Sequence, residues 1–109
     1  MKLINYGDID WLIGDEAADL LLEYSILMAR EGHADAVEIA VLSSEGTEQM
    51  VTVLIGPATM MTARALETEF TEPGNAVHLE AIRERMSAIT SPPNVLPAEP
   101  SETISDYEI

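Results

Sequence analysis

The sequence contains no cysteine, and aromatic residues make up only 5% of its 109 residues. The absence of cysteine excludes disulfides, thiolate catalysis and metal sites built on cysteine. It is compatible with the cytoplasm, which is the location we expect. Because aromatic residues are scarce, a packed core must consist mainly of aliphatic side chains, and a hydrophobic content of 47% is sufficient for one.

Basic residues are also few. The chain has 5 Lys and Arg against 20 Asp and Glu, which gives a formal net charge of −15. Such a surface repels nucleic-acid phosphates and anionic lipid headgroups, so we expect no nucleic acid and no membrane surface among its partners. The same charge accelerates the encounter with a basic protein. Solubility alone is the commoner reason for an excess of acid.

Long apolar runs and catalytic motifs are missing as well. No run approaches the roughly 18 residues that span a bilayer, and residues 1–14 lack the apolar centre of a secretory signal. The turn at Gly56-Pro57 lacks an N–H group that a phosphate-binding loop needs. His33 and His78 match no metal-binding spacing. The sequence therefore predicts no catalytic residue, no metal ligand and no cofactor.

The composition changes near Thr90. Residues 91–109 contain four prolines, four acidic residues and no basic residue. Proline at this density is incompatible with a regular helix or a central strand, and little apolar surface is available to offset the entropy of ordering. We therefore predict one ordered domain over residues 1–90, followed by a disordered acidic tail over residues 91–109.

The first predicted element is an N-terminal hairpin. Apolar residues at 3–4 and 11–13 flank Gly7-Asp8, and glycine in the first position is what a type II′ turn requires. A single strand with an irregular lead-in fits these residues almost as well.

A long helix is predicted over residues 15–31, with Asp15 as its N-cap and Gly32 as its stop. Apolar side chains occupy more than half of its circumference, so it must be covered on more than one side. The cover is either the last helix of the same chain or another subunit. For a subunit interface, the candidate residues share large apolar side chains. They are Trp11, Leu20, Leu22, Ile26 and Met28, of which the tryptophan is equally suited to anchoring the core.

A central hairpin over residues 36–55 gives the strongest local signal. A two-residue loop at Glu45-Gly46 and a three-residue loop at residues 44–46 are both possible. We prefer the three-residue loop because it pairs Ile39 with Val51, places the β-branched residues on one face and puts Gly46 in the left-handed conformation. Over residues 58–70 a strand and a short helix both fit, and the threonines favour the strand.

The last predicted helix covers residues 75–89. Asn75 is placed to cap it, and Glu80 is placed to pair with Arg83. An apolar stripe on this helix consists of Leu79, Ile82, Met86 and Ile89. The predicted fold class is therefore α+β, in which a small mixed or antiparallel sheet formed by the two hairpins packs with both helices.

Two functional hypotheses follow. The first is a non-enzymatic protein–protein interaction domain or accessory subunit, which forms a homodimer or binds a basic partner. The second is a small enzyme or ligand-binding domain with a pocket between helix 15–31 and the central hairpin. Four methionines also suit an adaptable binding groove, although core filling is their commoner use. They are Met50, Met60, Met61 and Met86.

Overall fold

A computed structural model describes residues 1–90 of the chain, and the predicted tail over residues 91–109 lies outside the described residues. The elements in chain order are β1 (Lys2–Tyr6), β2 (Ile9–Ile13), α1 (Asp15–Glu31), β3 (Asp35–Leu42), β4 (Glu48–Ile55), β5 (Met61–Ala65) and α2 (Ala76–Thr90). The five strands form one antiparallel sheet in the order β4-β3-β2-β1-β5. This confirms the α+β fold class. Neither described helix is long and apolar enough to cross a membrane.

Both predicted hairpins are present. Tyr6 pairs with Ile9 around the two-residue loop that begins at Gly7, whose φ is 62°. In the central hairpin Ile39 pairs with Val51, as the three-residue loop requires. Gly46 closes that loop with a φ of 86°. These pairings confirm both hairpins and the three-residue loop that side-chain alternation and Gly46 predicted for the second.

The third strand favoured over residues 58–70 is β5, which is shorter than that segment and pairs with β1 at the opposite edge of the sheet from β4. In a flat sheet these two edge strands would lie about 19 Å apart, four strand spacings of roughly 4.8 Å. Only residues 56–60 connect them, and a turn between Gly56 and Thr59 shortens that connection. The sheet therefore curls. As a result, the Tyr6 hydroxyl on β1 donates a hydrogen bond of 2.7 Å to the Leu54 carbonyl on β4.

Helix α1 contacts β1, β4 and β5, and so lies against the concave face of the curled sheet. It begins at Asp15 and stops at Gly32, which has a φ of 67°. The prediction that Asp15 is the N-cap is wrong, because Gly14 occupies the cap position and no side chain caps the helix. The Asp15 carboxylate instead lies 3.2 Å from the N-terminal amine of Met1.

Strands β2 and β3 are joined by a single residue pair, Leu12 with Leu42. Helix α2 packs beside β3 and against α1, and its stripe enters the core, with Leu79 and Ile82 buried and the other two residues partly buried. The prediction that the side chain of Asn75 caps α2 is wrong, because this side chain bonds to the backbone of β3 instead. The predicted pair with Glu80 is replaced by an ion pair between Arg83 and Glu16 on α1.

Candidate functional site

The predicted interface residues divide between core and surface. Leu20 and Met28 are 7% and 2% exposed, because the curled sheet and α2 together enclose α1. Neither side chain can contact a partner in this conformation. Leu22 is half-buried, whereas Ile26 is 52% exposed. Most of the cover that the helix requires is therefore supplied by its own chain.

Trp11 is half-buried and belongs to the rim of the core. Its indole ring stacks on the Tyr6 ring with a centroid distance of 5.8 Å and an interplanar angle of 18°. Stacked aromatic pairs contribute about 0.5–1.5 kcal/mol beyond the area that they bury. The structure thus places Trp11 in a contact that stabilises the N-terminal hairpin.

A polar network joins α1, β3 and α2. The buried Tyr24 hydroxyl donates a hydrogen bond of 2.5 Å to Oδ2 of Asp35. Nη1 of Arg85 lies 2.8 Å from the same oxygen and also donates to the Ala36 carbonyl at 3.1 Å. The Ala36 amide donates to Oδ1 of Asp35 at 2.8 Å. One carboxylate therefore ties together α1, β3 and α2, the last of which is 50 residues away at Arg85.

The network is poorly suited to acid–base chemistry near neutral pH. Burial, followed by the hydrogen bond to Asp35, raises the pKa of Tyr24 to about 12. Burial alone would raise the pKa of Asp35, but the hydrogen bonds from Tyr24 and the Ala36 amide, together with Arg85, lower it below its usual range. A general acid or base works best when its pKa lies near the working pH. Near neutral pH Tyr24 therefore stays protonated and Asp35 stays ionised.

Two depressions flank Arg85. One, of about 310 Å³, lies between the end of α1, the residues that lead into β3, and α2. Its lining is largely apolar, and its charged groups, Asp35 and Arg85, already pair with each other. The other, of about 420 Å³, lies between α2 and the central hairpin, and its hairpin wall includes Glu38 and Thr52.

The outer face of the central hairpin presents apolar and acidic side chains together. Met50 and Leu54 on β4 are 55% and 61% exposed. Glu38 on β3 is also exposed and lies directly across from Thr52. We call the outward-facing β4 residues the outer row. They are Glu48, Met50, Thr52 and Leu54.

A third depression, of about 450 Å³ and with a mainly apolar lining, continues the outer row at the end of β4. Leu54, Pro57 and Met60 contribute to it, and Met60 is 83% exposed. Met50 and Met60 are thus surface residues, whereas Met61 and Met86 pack against the core. The four methionines do not form one groove.

Ion pairs within the chain occupy most of its cations. Lys2 lies 2.6 Å from Asp19, and this hydrogen bond raises the pKa of the lysine. Arg83 and Arg85 pair with Glu16 and Asp35, so that three of the five basic side chains are committed to carboxylates of residues 1–90. Residues 35–55 carry four acidic residues and no lysine or arginine. One of these four, Asp35, is paired with Arg85, whereas the other three form no ion pair among the described residues.

Neither histidine belongs to a potential metal site in the described part of the chain. Within residues 1–90, no group of three histidine, aspartate or glutamate side chains is arranged to hold a metal ion. His33 lies on the surface after α1, and His78 lines the depression beside Glu38.

Sequence reasoning did not single out Leu54 as a surface candidate. The sequence of β4 nevertheless indicates an exposed apolar residue, because apolar residues occupy both sets of alternating positions and therefore both faces of the strand. Val51, Val53 and Ile55 form one set, and Met50 and Leu54 belong to the other. A strand on a sheet with one covered face needs apolar residues in only one set.

No protein-family model matches the chain, and no curated protein and no solved structure is significantly similar to it.

Proposed function

We propose that this chain is a non-catalytic protein-binding domain that binds a basic partner through the outer face of its central hairpin. The observation that carries the proposal is the exposure of Met50 and Leu54 beside Glu38 and Glu48, in a segment without lysine or arginine. Exposed apolar groups favour burial against another molecule, and the surrounding charge selects which molecule approaches.

The charge distribution supports a cationic partner in particular. The described residues carry 5 basic and 16 acidic residues, a difference of −11, and three of the cations are already paired. A basic protein would be drawn to this field at long range and lose that attraction as salt screens it over about 10 Å at 0.1 M. Apolar contacts at Met50 and Leu54 would then supply affinity that salt does not remove.

The binding of a small ligand has less support. The depression between α1, β3 and α2 exists, but its charged groups neutralise each other, and the pKa values of Tyr24 and Asp35 keep both groups in one protonation state near pH 7. The outer face differs, since neither Glu38 nor Glu48 forms an ion pair among the described residues.

The test uses a blocked peptide with the core Lys-Val-Leu-Thr-Lys, added to ¹⁵N-labelled protein. We expect chemical-shift changes centred on Glu38, Glu48 and Met50. The affinity should fall as salt rises from about 50 to about 300 mM, because the distance over which charges act shortens as salt increases. A peptide with glutamate in place of lysine should not bind.

Matched variants separate local charge from total charge. The double variant Glu38→Gln, Glu48→Gln should weaken binding of the lysine peptide, whereas Glu23→Gln, Glu31→Gln on α1 removes the same net charge from exposed positions elsewhere and should change it little. If neither cationic peptide nor salt has any effect at the hairpin, or if both double variants weaken binding equally, the proposed function is wrong.

A further inference from the structure

Strand β4 lies at one edge of the sheet. Its pairing with β3 shows which of its backbone N–H and C=O groups point toward β3 and which point outward. Ser43 donates to the Thr47 carbonyl at 2.9 Å, so this pair bonds across the hairpin. Bonded and non-bonded pairs alternate along an antiparallel ladder. The next pair, Leu42 with Glu48, is therefore non-bonded, and every second β4 residue from Glu48 directs its N–H and C=O away from β3.

Other hydrogen bonds confirm which backbone groups point outward. Ala40 pairs across the hairpin with Met50, and its outward N–H and C=O both bond to Asn75 on the opposite side of β3. On β4 itself, the outward carbonyl of Leu54 accepts from the Tyr6 hydroxyl and from Oγ1 of Thr59. Backbone groups at these positions thus point to the two outer edges of the hairpin.

The curl of the sheet closes this edge at Leu54 and leaves the rest open. Among the hydrogen bonds of residues 1–90, none uses the outward backbone groups of Glu48, Met50 or Thr52. These three residues recur every second position, so their groups are spaced by about 6.8 Å, two strand rises of roughly 3.4 Å.

Apart from the charge of Glu48, the open edge lacks the devices that usually prevent strand addition. Between Glu48 and Ile55 there is no proline and no lysine, and the pairing with β3 runs without a bulge over all eight residues. Edge strands that are not intended to pair are commonly short, bulged, or marked by lysine or proline. The edge is therefore a template for another strand.

We propose that an extended cationic segment of the partner adds to β4 as a sixth antiparallel strand, bonding to the backbone of Glu48, Met50 and Thr52. This rests on the proposed function and specifies how the basic partner is held. Strand addition obtains affinity from the main chain and specificity from alternate side chains.

The outer row specifies those side chains. A partner residue opposite Met50 shares its face of the sheet and is apolar, since it lies against an exposed methionine. Residues opposite Glu48 and Thr52 are lysine or arginine, because one faces Glu48 directly and the other can reach Glu38 beside Thr52. The recognised pattern is thus basic, any, apolar, any, basic.

Charge also decides between this occupant and two others. Residues 91–109 of the same chain contain no basic residue, so they would bring four more carboxylates to an acidic edge. A second copy pairing through β4 would bring its own Glu38 and Glu48 close to those of the first. Only a cationic segment satisfies the backbone groups and the carboxylates together.

The test measures calorimetric affinity for the blocked Lys-Val-Leu-Thr-Lys peptide and for N-methylated versions of it. When leucine is opposite Met50, the amides of the first, third and fifth residues face β4, and those of the second and fourth face solvent. N-methylation of leucine removes one hydrogen bond to β4 and places a methyl group against that strand, so it should lower the affinity about tenfold or more. N-methylation of valine, whose amide faces solvent, should leave the affinity within about threefold.

A change in the protein provides the reciprocal test. Met50→Pro removes one outward N–H without removing a bond to β3, so the fold should persist while binding falls at least about tenfold. Thermal unfolding checks the fold, and Thr52→Pro repeats the test one site along the edge.

The outcomes distinguish the inference from the proposed function. If the lysine peptide binds at the hairpin and the double variant Glu38→Gln, Glu48→Gln weakens that binding, but both N-methylated peptides bind equally well, the function stands and strand addition is wrong. If no cationic peptide binds, both fail. If sedimentation instead shows a dimer that Met50→Pro dissociates, a second copy occupies the edge and the cationic occupant is wrong.

Discussion

The side-chain amide of Asn75 takes the place of a strand beside Ala40. Its nitrogen donates to the Ala40 carbonyl and its oxygen accepts from the Ala40 amide, both at 2.8 Å. β2 pairs with β3 only through Leu12 and Leu42, so at Ala40, two residues before Leu42, this edge of β3 has no strand beside it. Asn75 is 6% exposed, and it satisfies that edge where the sheet cannot.

Replacing this residue should therefore be costly. Asn75→Ala leaves a buried N–H and a buried C=O without partners, and each unsatisfied group costs about 1–3 kcal/mol. We expect the free energy of unfolding to fall by about 2–4 kcal/mol, measured by urea denaturation. Asn5→Ala is the matched control, because Asn5 is exposed and bonds only to Asp10, and it should cost less than about 1 kcal/mol. Equal losses in the two variants would contradict this role.

The two turn glycines should differ in their tolerance of a side chain. Gly7 and Gly46 both have positive φ, but a Cβ at Gly7 meets nothing within 4 Å, whereas one at Gly46 would lie 2.7 Å from the Phe70 ring. Gly7→Ala should cost about 1 kcal/mol from backbone strain alone. Gly46→Ala should cost at least about 1 kcal/mol more, since the ring must move. Adding Phe70→Ala should remove that excess, and an excess that persists would assign the cost to the backbone.

The Asp35 network should make stability depend on pH in the acid range. The pKa of Asp35 is lower in the folded protein than its ordinary value, so the unfolded chain binds the proton more readily. Stability from this group is therefore present above about pH 4 and is lost as the pH falls through the folded-state pKa. Asp35→Asn should be less stable than the wild type at pH 7, and the difference should shrink on acidification. A difference that is constant from pH 7 to pH 2 would show that the charge of Asp35 contributes nothing.

Local features of the sequence were sufficient for the elements. The bounds of α1 follow from an apolar periodicity that ends at Gly32, and the register of the central hairpin follows from the position of Gly46 relative to Ile39 and Val51. A strand over part of residues 58–70 was also favoured correctly. In each case the deciding residues lie within one segment.

The contacts that complete the fold were not predictable in the same way. Asn75 bonds to Ala40, 35 residues away, and Arg85 pairs with Asp35 at a separation of 50 residues. Local reasoning assigned Asn75 and Arg83 to partners on their own helix, because those partners are the nearest in sequence. The open edge of β4 was likewise hidden, since an edge strand and a central strand can share one pattern of alternation.

The exposed backbone of β4 is tested most directly by amide hydrogen exchange, read residue by residue. In the free protein the amides of Met50 and Thr52 should exchange rapidly while those of Val51 and Val53, which bond to β3, exchange slowly. Saturating Lys-Val-Leu-Thr-Lys peptide should slow Met50 and Thr52 selectively. Slow exchange at all four amides in the free protein, or no change at Met50 and Thr52 when the peptide is bound, would contradict the account.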